Sequence, residues 1–597
     1  MTQETEGDLA ARSLPSRGTA AAPAGPLDCV IVGYNDFDLQ AIMAAREMMA
    51  DSSGAFRQML GSVFRHEGQW LHHVQFLNAV LQAATQRDYR LHTMELPNLA
   101  VCYLKSFLAR RGLEAEAVNF FNTGKGRLAA LLDAGPRAVA ITTTLYVESD
   151  PIVEIVKFIR RHSPETVIIA GGPYILSLCS LPHLPTQEYL LQGLGADVYI
   201  HDAQGETTLS RLLHELRRGP AQDLSRIPNL IYRQDCAGHG ARAEKSAAAP
   251  SFVRTPRVIE DNDIDGDATD WQRIPPSLCA PTAQLIMSRS CPFRCTFCRY
   301  PAIAGPWKVM SVDAVERQMR QLHAAGTRTL ILFDDTPNVP LPRFKQILNM
   351  MLRNRFAFGW FSNLRCADAD PEAYDLMKAS GCQGVFLGLE SGDQGILDNM
   401  NKRATVEQYR EGIRQLKSRG ILTYASFIVG FPGETQATAR NTVRFIAETQ
   451  PDYYQVHVYY HSRNVPIQLQ AARFGLRGSD YSWRHATMDW QAACDAADWM
   501  RGTVQGSVVG TSYLSTFWML GYLYGKGVTL EHIREFMAQC QPVLLRNADT
   551  QASRGACVEP LAPEILAAAR HMAADMAAAD SANRLNAPAT AAHQPAG

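Results

Sequence analysis

Three cysteines stand at a Cx3Cx2C spacing in the stretch Cys291-Pro-Phe-Arg-Cys295-Thr-Phe-Cys298. Thiolates that close together can hold three corners of a cubane iron–sulfur cluster and leave the fourth iron without a protein ligand. A small molecule can then chelate that iron. Zinc is the competing reading, but a structural zinc site takes four ligands. No histidine lies between His239 and His323, and the nearest other cysteine, Cys279, is twelve residues upstream. A disulfide with one spare thiol is the other alternative; an odd total of 13 cysteines with no paired framework weighs against it.

Such a loop needs a rigid base. The run Gln284-Leu-Ile-Met-Ser-Arg just before it reads as a strand, so the cysteines leave a strand at its carboxyl end. Further strands are expected at Thr329–Phe333, Phe358–Ser362, Gly384–Leu389, Thr423–Val429 and Tyr454–Tyr459, with helices such as Val312–Ala325 and Val406–Arg419 between them. Right-handed crossovers would curl this series into a partial (β/α)6 barrel of the TIM type over 281–470. Ahead of it, Asp28–Gly33, Arg137–Thr142, Thr166–Gly171 and Ala196–Ile200 are β-branched apolar runs separated by helical stretches, including Asn98–Gly112 and Asp150–His162. That pattern predicts a Rossmann-like α/β domain over 27–233, with an insertion from Asp36 to Leu96. Residues 234–280 read as a polar linker and 471–574 as a helical C-terminal region. The stretches 1–26 and 575–597 read as disordered tails.

Composition narrows the function classes. The chain has 597 residues, 46% of them apolar and 20% charged, with 58 Lys+Arg against 59 Asp+Glu and a net charge of −1. That balance offers no electrostatic footprint for nucleic acid or acidic membrane. No run of 18 apolar residues predicts a membrane span, and the first 26 residues lack the apolar core of a signal peptide. A cytoplasmic location is expected, which also suits an oxygen-sensitive cluster. Gly124-Lys-Gly and Gly521-Tyr-Leu-Tyr-Gly525-Lys526-Gly527 both miss the phosphate-loop spacing, so nucleotide hydrolysis is discounted.

Residues 284–466 resemble a radical S-adenosylmethionine (SAM) core. Its Cx3CxΦC motif is matched by Cys291, Cys295, Phe297 and Cys298. The resemblance implies a [4Fe-4S] cluster on the three cysteines, SAM on the open iron, and Phe297 against the adenine. It implies a methionine-amine contact at Asp334-Asp335-Thr336, where Asp335 departs from the family's usual Gly-Gly-Glu. Glu390, in Gly388-Leu-Glu390-Ser-Gly392, matches the ribose contact, and Ser426 and Val465 match later SAM contacts. Read without the resemblance, Asp334 and Asp335 are an acid/base pair or a helix cap, and Glu390 is a solvated charge.

The first domain resembles the cobalamin-binding domain that precedes many radical SAM cores. The matching strand ends are Val32-Gly33-Tyr34-Asn35, Thr142-Thr143-Thr144, Gly171-Gly172-Pro173 and Gly205-Glu206-Thr207. Small residues there let a corrin or its nucleotide tail approach the backbone. The Asp-x-His-x-x-Gly signature is absent, so no histidine ligand from that motif is implied; the segment Leu96-Pro-Asn98-Leu99 is a candidate for the region below cobalt. A flavodoxin-like relic or another small-molecule site is the alternative.

Within that group, the opening Asp28-to-Asp36 segment and Tyr481-to-Asp489 look closest to the P-methyltransferases and their C-methylating relatives. The resemblance implies a cobalamin-dependent radical SAM methyltransferase acting on an unactivated carbon or a phosphinate phosphorus. Its partners would be a small-molecule or peptide substrate and a reducing electron donor. Ring rearrangement or cyclisation without methyl transfer is the rival activity, and a cofactor-bearing sensor the rival class. His485 and Asp489, at i and i+4, are expected to share a helix face and point at substrate, or to form a surface pair.

Overall fold

The computed structural model describes residues 27–48, 53–219, 222–234, 252–462, 464–511, 516–548 and 560–585. The tail expected at 1–26 and the part of the 575–597 tail beyond 585 lie outside these residues.

Seven strands, β1 (Cys29–Tyr34), β2 (Ala115–Phe120), β3 (Ala138–Thr142), β4 (Val167–Gly171), β5 (Val198–Ile200), β6 (Leu230–Arg233) and β7 (Phe252–Arg254), form one sheet in the order β2-β1-β3-β4-β5-β6-β7. The first five run parallel, and β6 and β7 are antiparallel additions. Cys29, Val30, Ile31 and Val32 are all fully buried, as strands covered on both faces must be. The order reverses between β1 and β3, and open α/β sheets place their ligand crevice at that switch point. Strand β2, absent from the expected set, is what creates the reversal.

A second seven-stranded parallel sheet comprises β8 (Thr282–Leu285), β9 (Thr329–Leu332), β10 (Gly359–Asn363), β11 (Cys382–Glu390), β12 (Leu422–Val429), β13 (Tyr453–Val458) and β14 (Val508–Val509), in chain order. Six were expected. The seventh comes from the region read as purely helical, where Tyr453 and Tyr454 pair with Val508 and Val509. A two-residue strand carries no periodic signal, so only the edge of β13 reveals it.

The helices that matter below are α1 (Gly54–Leu60), α2 (His73–Thr85), α3 (Leu99–Ala109), α4 (Asp150–His162), α5 (Glu206–Leu216), α6 (Trp490–Thr503), α7 (Trp518–Gly525), α8 (Leu530–Ala548) and α9 (Pro563–Leu585). Helix α3 starts where the Asn98 side chain accepts from the Ala100 and Val101 amides. Helix α4 has Asp150 and a proline in its first turn and Arg160, Arg161 and His162 in its last, matching the helix dipole at both ends.

Three boundaries differ from expectation. The core of the Asp36–Leu96 insertion packs on the barrel, while its ends touch the first domain, where His92 stacks on Phe120 at 4.5 Å and Asn119 donates to Met94 O and Leu96 O. Phe64, Phe76, Leu77, Val80 and Leu81 join the barrel's core, with Phe64 stacked on Phe76 at 4.3 Å. Gln58 of α1 accepts from the Val458 amide at 2.9 Å and its Nε2 lies 3.0 Å from His457 Nδ1. The presumed linker is a strap from 252 to 280: β7 extends the first sheet, Arg111 pairs with Asp267 at 3.0 Å, and buried Trp271 donates to Gln318 at 3.3 Å. Its polar composition hid Trp271 and Ile274, which are the residues that seal it. Finally, α9 runs to Leu585, past the boundary expected at 574. Among the described residues no helix is long and apolar enough to cross a membrane.

The docking of the insertion should be acid-sensitive. His73, 1% exposed, sits 2.8 Å from Thr511 Oγ1, and burial pushes its pKa down to about 3. Burial likewise lowers His457, to about 4. Both are neutral in the folded protein, whereas the unfolded chain takes up protons below about pH 6.5. Stability therefore falls with pH below that point, by about 1.4 kcal/mol per pH unit for each such histidine. Melting temperatures between pH 7 and pH 5 should drop in the wild type and flatten in His73→Asn, whose amide reaches the Nδ1 position without titrating.

Candidate functional site

The cysteine loop, residues 290–299, leaves the barrel between a two-residue strand at Ser288–Arg289 and a short helix at Tyr300–Ile303. Ser290 takes a left-handed φ of +66° to start it. The loop is pinned from outside: the Thr296 amide donates to Met400 O at 2.9 Å, its hydroxyl to Asn399 O at 2.8 Å, and Asn401 Nδ2 to Arg294 O at 2.8 Å. Arg365 lies 3.8 Å over the Phe293 ring and donates to the Lys402 and Arg403 carbonyls, tying the loop to the segment after β11.

Cys295 is buried, while Cys291 and Cys298 are half-buried. Burial pushes the Cys298 thiol up to about 11, and Cys295, Asp335 and Cys291 add repulsion. Cys291 is raised for the same reasons, burial first. Thiols at Cys291 and Cys298 that resist ionising need a cationic partner to become thiolates, and an iron–sulfur cluster is one. Two donors already face the sulfurs: the Tyr300 amide, 3.4 Å from Cys298 Sγ, and the Thr336 hydroxyl, 3.9 Å from Cys291 Sγ. The donor set fits the cluster.

Asp334 proves to be structural. It is 2% exposed and accepts from the Met287 amide at 3.0 Å and from the Ser288 hydroxyl, holding the exit from β8; burial pushes its pKa up to about 6. It caps no helix. Asp335 keeps accessible surface yet sits in an enclosed recess beside Tyr300, Cys291 and Cys298, and burial raises it to about 6. Next to it, Asn363 at the end of β10 donates to Asp334 O at 2.8 Å, while its buried Oδ1 has no partner. A carboxylate and an orphan acceptor side by side suit an ammonium donor. Sequence reasoning missed Asn363, whose only signal is its place at a strand end.

Glu390 ends β11 with a φ of +69° and accepts from Lys402 Nζ at 2.9 Å, both side chains buried. Lys402 also lies 5.7 Å from the Phe297 ring, which packs edge-on against Phe431. Ser426 accepts from Gln455 Nε2 at 2.9 Å, and Val465 is the residue from which the short helix Pro466–Gln470 departs. Replacing Lys402 by methionine leaves the buried Glu390 charge unpaired, which should cost about 3–5 kcal/mol. A denaturant melt of Lys402→Met checks this, and Glu390→Gln/Lys402→Met together should recover much of the loss.

Two adjoining cavities of about 280 Å³ and 300 Å³ lie between the carboxyl edge of the first sheet and this loop. Ala100, Tyr103, Thr144, Glu206, Arg289 and Tyr300 line both, so the two cavities adjoin between the domains. Gly171, Gly172, Pro173 and Gly205 line the sheet side; Tyr34 and Leu96 to Leu99 line the other, which is capped by apolar groups such as Trp271, Met310 and Phe333. Asn35 and Thr143 line neither. Asn35 donates to Pro151 O and Glu154, and Thr143 to Gly171 O, so both brace the strand ends from beneath. Glu206 is held by Asn262 Nδ2, and burial pushes its pKa up to about 7. The buried Tyr103 hydroxyl has no partner, an orphan that a polar ligand in this space would satisfy. Tyr103 and Arg289 were missed, although Ala100, Tyr103 and Leu104 share the i, i+3, i+4 face of α3.

His485 and Asp489 do not share a helix. Asp489 caps α6, accepting from the Ala492 amide, and its backbone bridges to Arg484; His485 stacks on Trp483 at 5.4 Å with its Nε2 3.2 Å from Gly430 O. The short hairpin Arg477–Ser479/Ser482–Arg484 breaks the expected helix.

The radical SAM superfamily model matches residues 285–446. An uncharacterized methyltransferase of Pyrococcus horikoshii is 24% identical over 374 residues, covering 60% of this chain and 75% of that protein. The anaerobic magnesium-protoporphyrin IX monomethyl ester cyclase of Cereibacter sphaeroides is 27% identical over 356 residues, covering 58% and 54%. Among solved structures, the cobalamin-dependent SAM radical enzyme OxsB with aqua-cobalamin and S-adenosylmethionine bound superposes with a TM-score of 0.52 at 15% identity, over 85% of this chain and 86% of that one. That likeness establishes a shared fold through both sheets. The chain therefore carries a radical SAM domain at residues 285–446, and its two-sheet fold is the one shared with OxsB.

Proposed function

We propose that this chain is a cobalamin-dependent radical SAM methyltransferase. Its acceptor is an unactivated carbon or a phosphinate phosphorus in a small natural product or a peptide. The observation that carries the reading is the pair of adjoining cavities between the Gly171-Gly172-Pro173 edge and Tyr300 beside the cysteine loop. A corrin at one end and a cluster at the other would share that space with one substrate. The methyltransferase name of the Pyrococcus horikoshii relative supports the same reaction class.

When bound, the cluster with SAM supplies a primary carbon radical, and the corrin supplies the methyl group. The chain's part is to hold and shield. Cys291, Cys295 and Cys298 would hold the cluster, with Tyr300 and Thr336 donating to sulfur. Asp335 and Asn363 would take the methionine ammonium, and Phe297, Glu390, Ser426 and Val465 would enclose the nucleoside. Tyr34, Thr144, Gly171, Gly172, Pro173, Gly205 and Glu206 would meet the corrin, braced by Asn35 and Thr143. Trp271, Met310 and Phe333 wall the space against water, as a primary radical requires. A low-potential electron donor completes the reaction from outside.

A second reading is ring cyclisation or rearrangement without methyl transfer, favoured by the cyclase that aligns with 58% of the chain. Anaerobic reconstitution with iron, sulfide and cobalamin separates the readings. Methyl transfer predicts 5′-deoxyadenosine together with a product heavier by one methylene. A product with no added carbon, unchanged in mass for a rearrangement or two hydrogens lighter for a ring closure between C–H carbons, selects the second reading, and a brown chain that takes up no corrin removes methyl transfer altogether.

A further inference from the structure

Far from the proposed site, helices α8 and α9 bring two histidines and two carboxylates face to face. His532 and Glu535 sit one turn apart near the start of α8; His571 and Asp575 sit one turn apart on α9. His532 Nδ1 lies 2.7 Å from Asp575 Oδ2, and His571 Nδ1 lies 3.0 Å from Glu535 Oε2. The two rings converge to 5.1 Å between centroids. Potential ligand atoms of His532, Glu535 and His571 all lie within 4.8 Å of one another.

We propose that His532, Glu535 and His571 bind a divalent late transition metal, zinc foremost, and that Asp575 orients His532 for it. Two imidazoles and one carboxylate are a ligand set that zinc favours, with bonds of about 2.0–2.2 Å and room for a water in the fourth position. A tetrahedron of that size separates ligand atoms by about 3.4 Å, so small side-chain rotations from the present spacing close it. Asp575 has the geometry of the outer carboxylate in a carboxylate–histidine–metal chain. It accepts the Thr529 amide at 2.9 Å as well as His532 Nδ1, so it is fixed before any metal arrives. With Nδ1 committed to Asp575, the His532 lone pair is on Nε2. The metal would take the place of the proton now shared between His571 and Glu535.

Plain ion pairing is the simpler alternative. Exposed His–carboxylate pairs contribute little, and each acid needs only one histidine; nothing in that scheme draws the two rings together. A metal does, and it gives the arrangement a purpose. Helix α9 reaches back to the insertion, where Arg570 donates to Ala84 O at 3.2 Å at the end of α2. A metal between α8 and α9 would clamp that helix across both the barrel side and the insertion. The inference is independent of the methyltransferase reading.

The test is a zinc titration of the full-length, cluster-loaded protein against a chromophoric chelator, with the cysteine trio already occupied by iron. One zinc per chain with a micromolar or tighter Kd is expected, with only nitrogen and oxygen neighbours by X-ray absorption. His571→Gln, at a half-exposed position that tolerates exchange, and His532→Gln should each weaken it at least a hundredfold. Asp575→Asn should weaken it about 10- to 100-fold, while the cluster absorbance stays unchanged in all three. No zinc uptake up to 100-fold excess, sulfur in the zinc shell, or wild-type affinity in both histidine variants would each overturn the assignment.

Discussion

Cys295→Ala is expected to lower turnover more than about a thousandfold, a loss of at least 4 kcal/mol of barrier stabilisation, while leaving corrin uptake intact. Cys295 is the most enclosed of the three thiols, 8% exposed, and its neighbours hold the loop without it. The Thr296 bonds to Asn399 and Met400, the Arg365 contact to Phe293 and the Asn401 bond to Arg294 do not involve the sulfur. An alanine therefore removes a ligand and leaves the fold. Two remaining thiols cannot retain a cubane with one open iron, so the brown chromophore and 5′-deoxyadenosine should vanish together. The strand ends that line the sheet side of the cavity lie in another domain, so cobalamin should still co-elute with the variant. A chain that still cleaves SAM after this substitution would refute the assignment of the trio.

Gly172→Ala is expected to do the reverse. Gly172 has a φ of +110°, a region that side chains rarely enter, and a Cβ there would lie 3.0 Å from Thr143 Oγ1 and 3.1 Å from its amide nitrogen. Thr143 is itself tied to Gly171 O by its amide and its hydroxyl, both at 2.8 Å, so it has little room to yield. Strain of this kind costs about 1–3 kcal/mol, and relief means moving the β4 edge that lines the cavity. Corrin affinity should fall about 10- to 100-fold, measured by absorbance of the bound fraction after gel filtration. The cysteine loop lies on the barrel, so 5′-deoxyadenosine formation should persist while methyl transfer fails. Loss of both would mean that the two ends of the cavity are not separable.

Much of this protein was readable in advance because local chemistry determines it. The cysteine spacing, the apolar strands that must be buried on both faces, and helix signals such as Asn98 and Asp150-Pro151 act within a few residues of themselves. The structure has its first parallel sheet, its cysteine loop at a strand end and α4 at Asp150–His162 where those signals point. His485 and Asp489 show the limit: a spacing of four means a shared face only inside a helix, and a tight hairpin and a cap intervene.

Everything that depends on two distant segments meeting was decided by tertiary packing. Sequence alone marked out the cysteine trio and most of the buried strands, since thiol spacing and apolar runs are local properties. Packing decided that the core of the insertion joins the barrel, that Val508–Val509 extends its sheet, and that Tyr103 and Arg289 line a common cavity. It also decided that Asp334 braces a strand while Asp335 faces the recess. The physical reason is that a side chain's partner across hundreds of residues is chosen by the free energy of burying the whole surface, to which no short window of sequence has access.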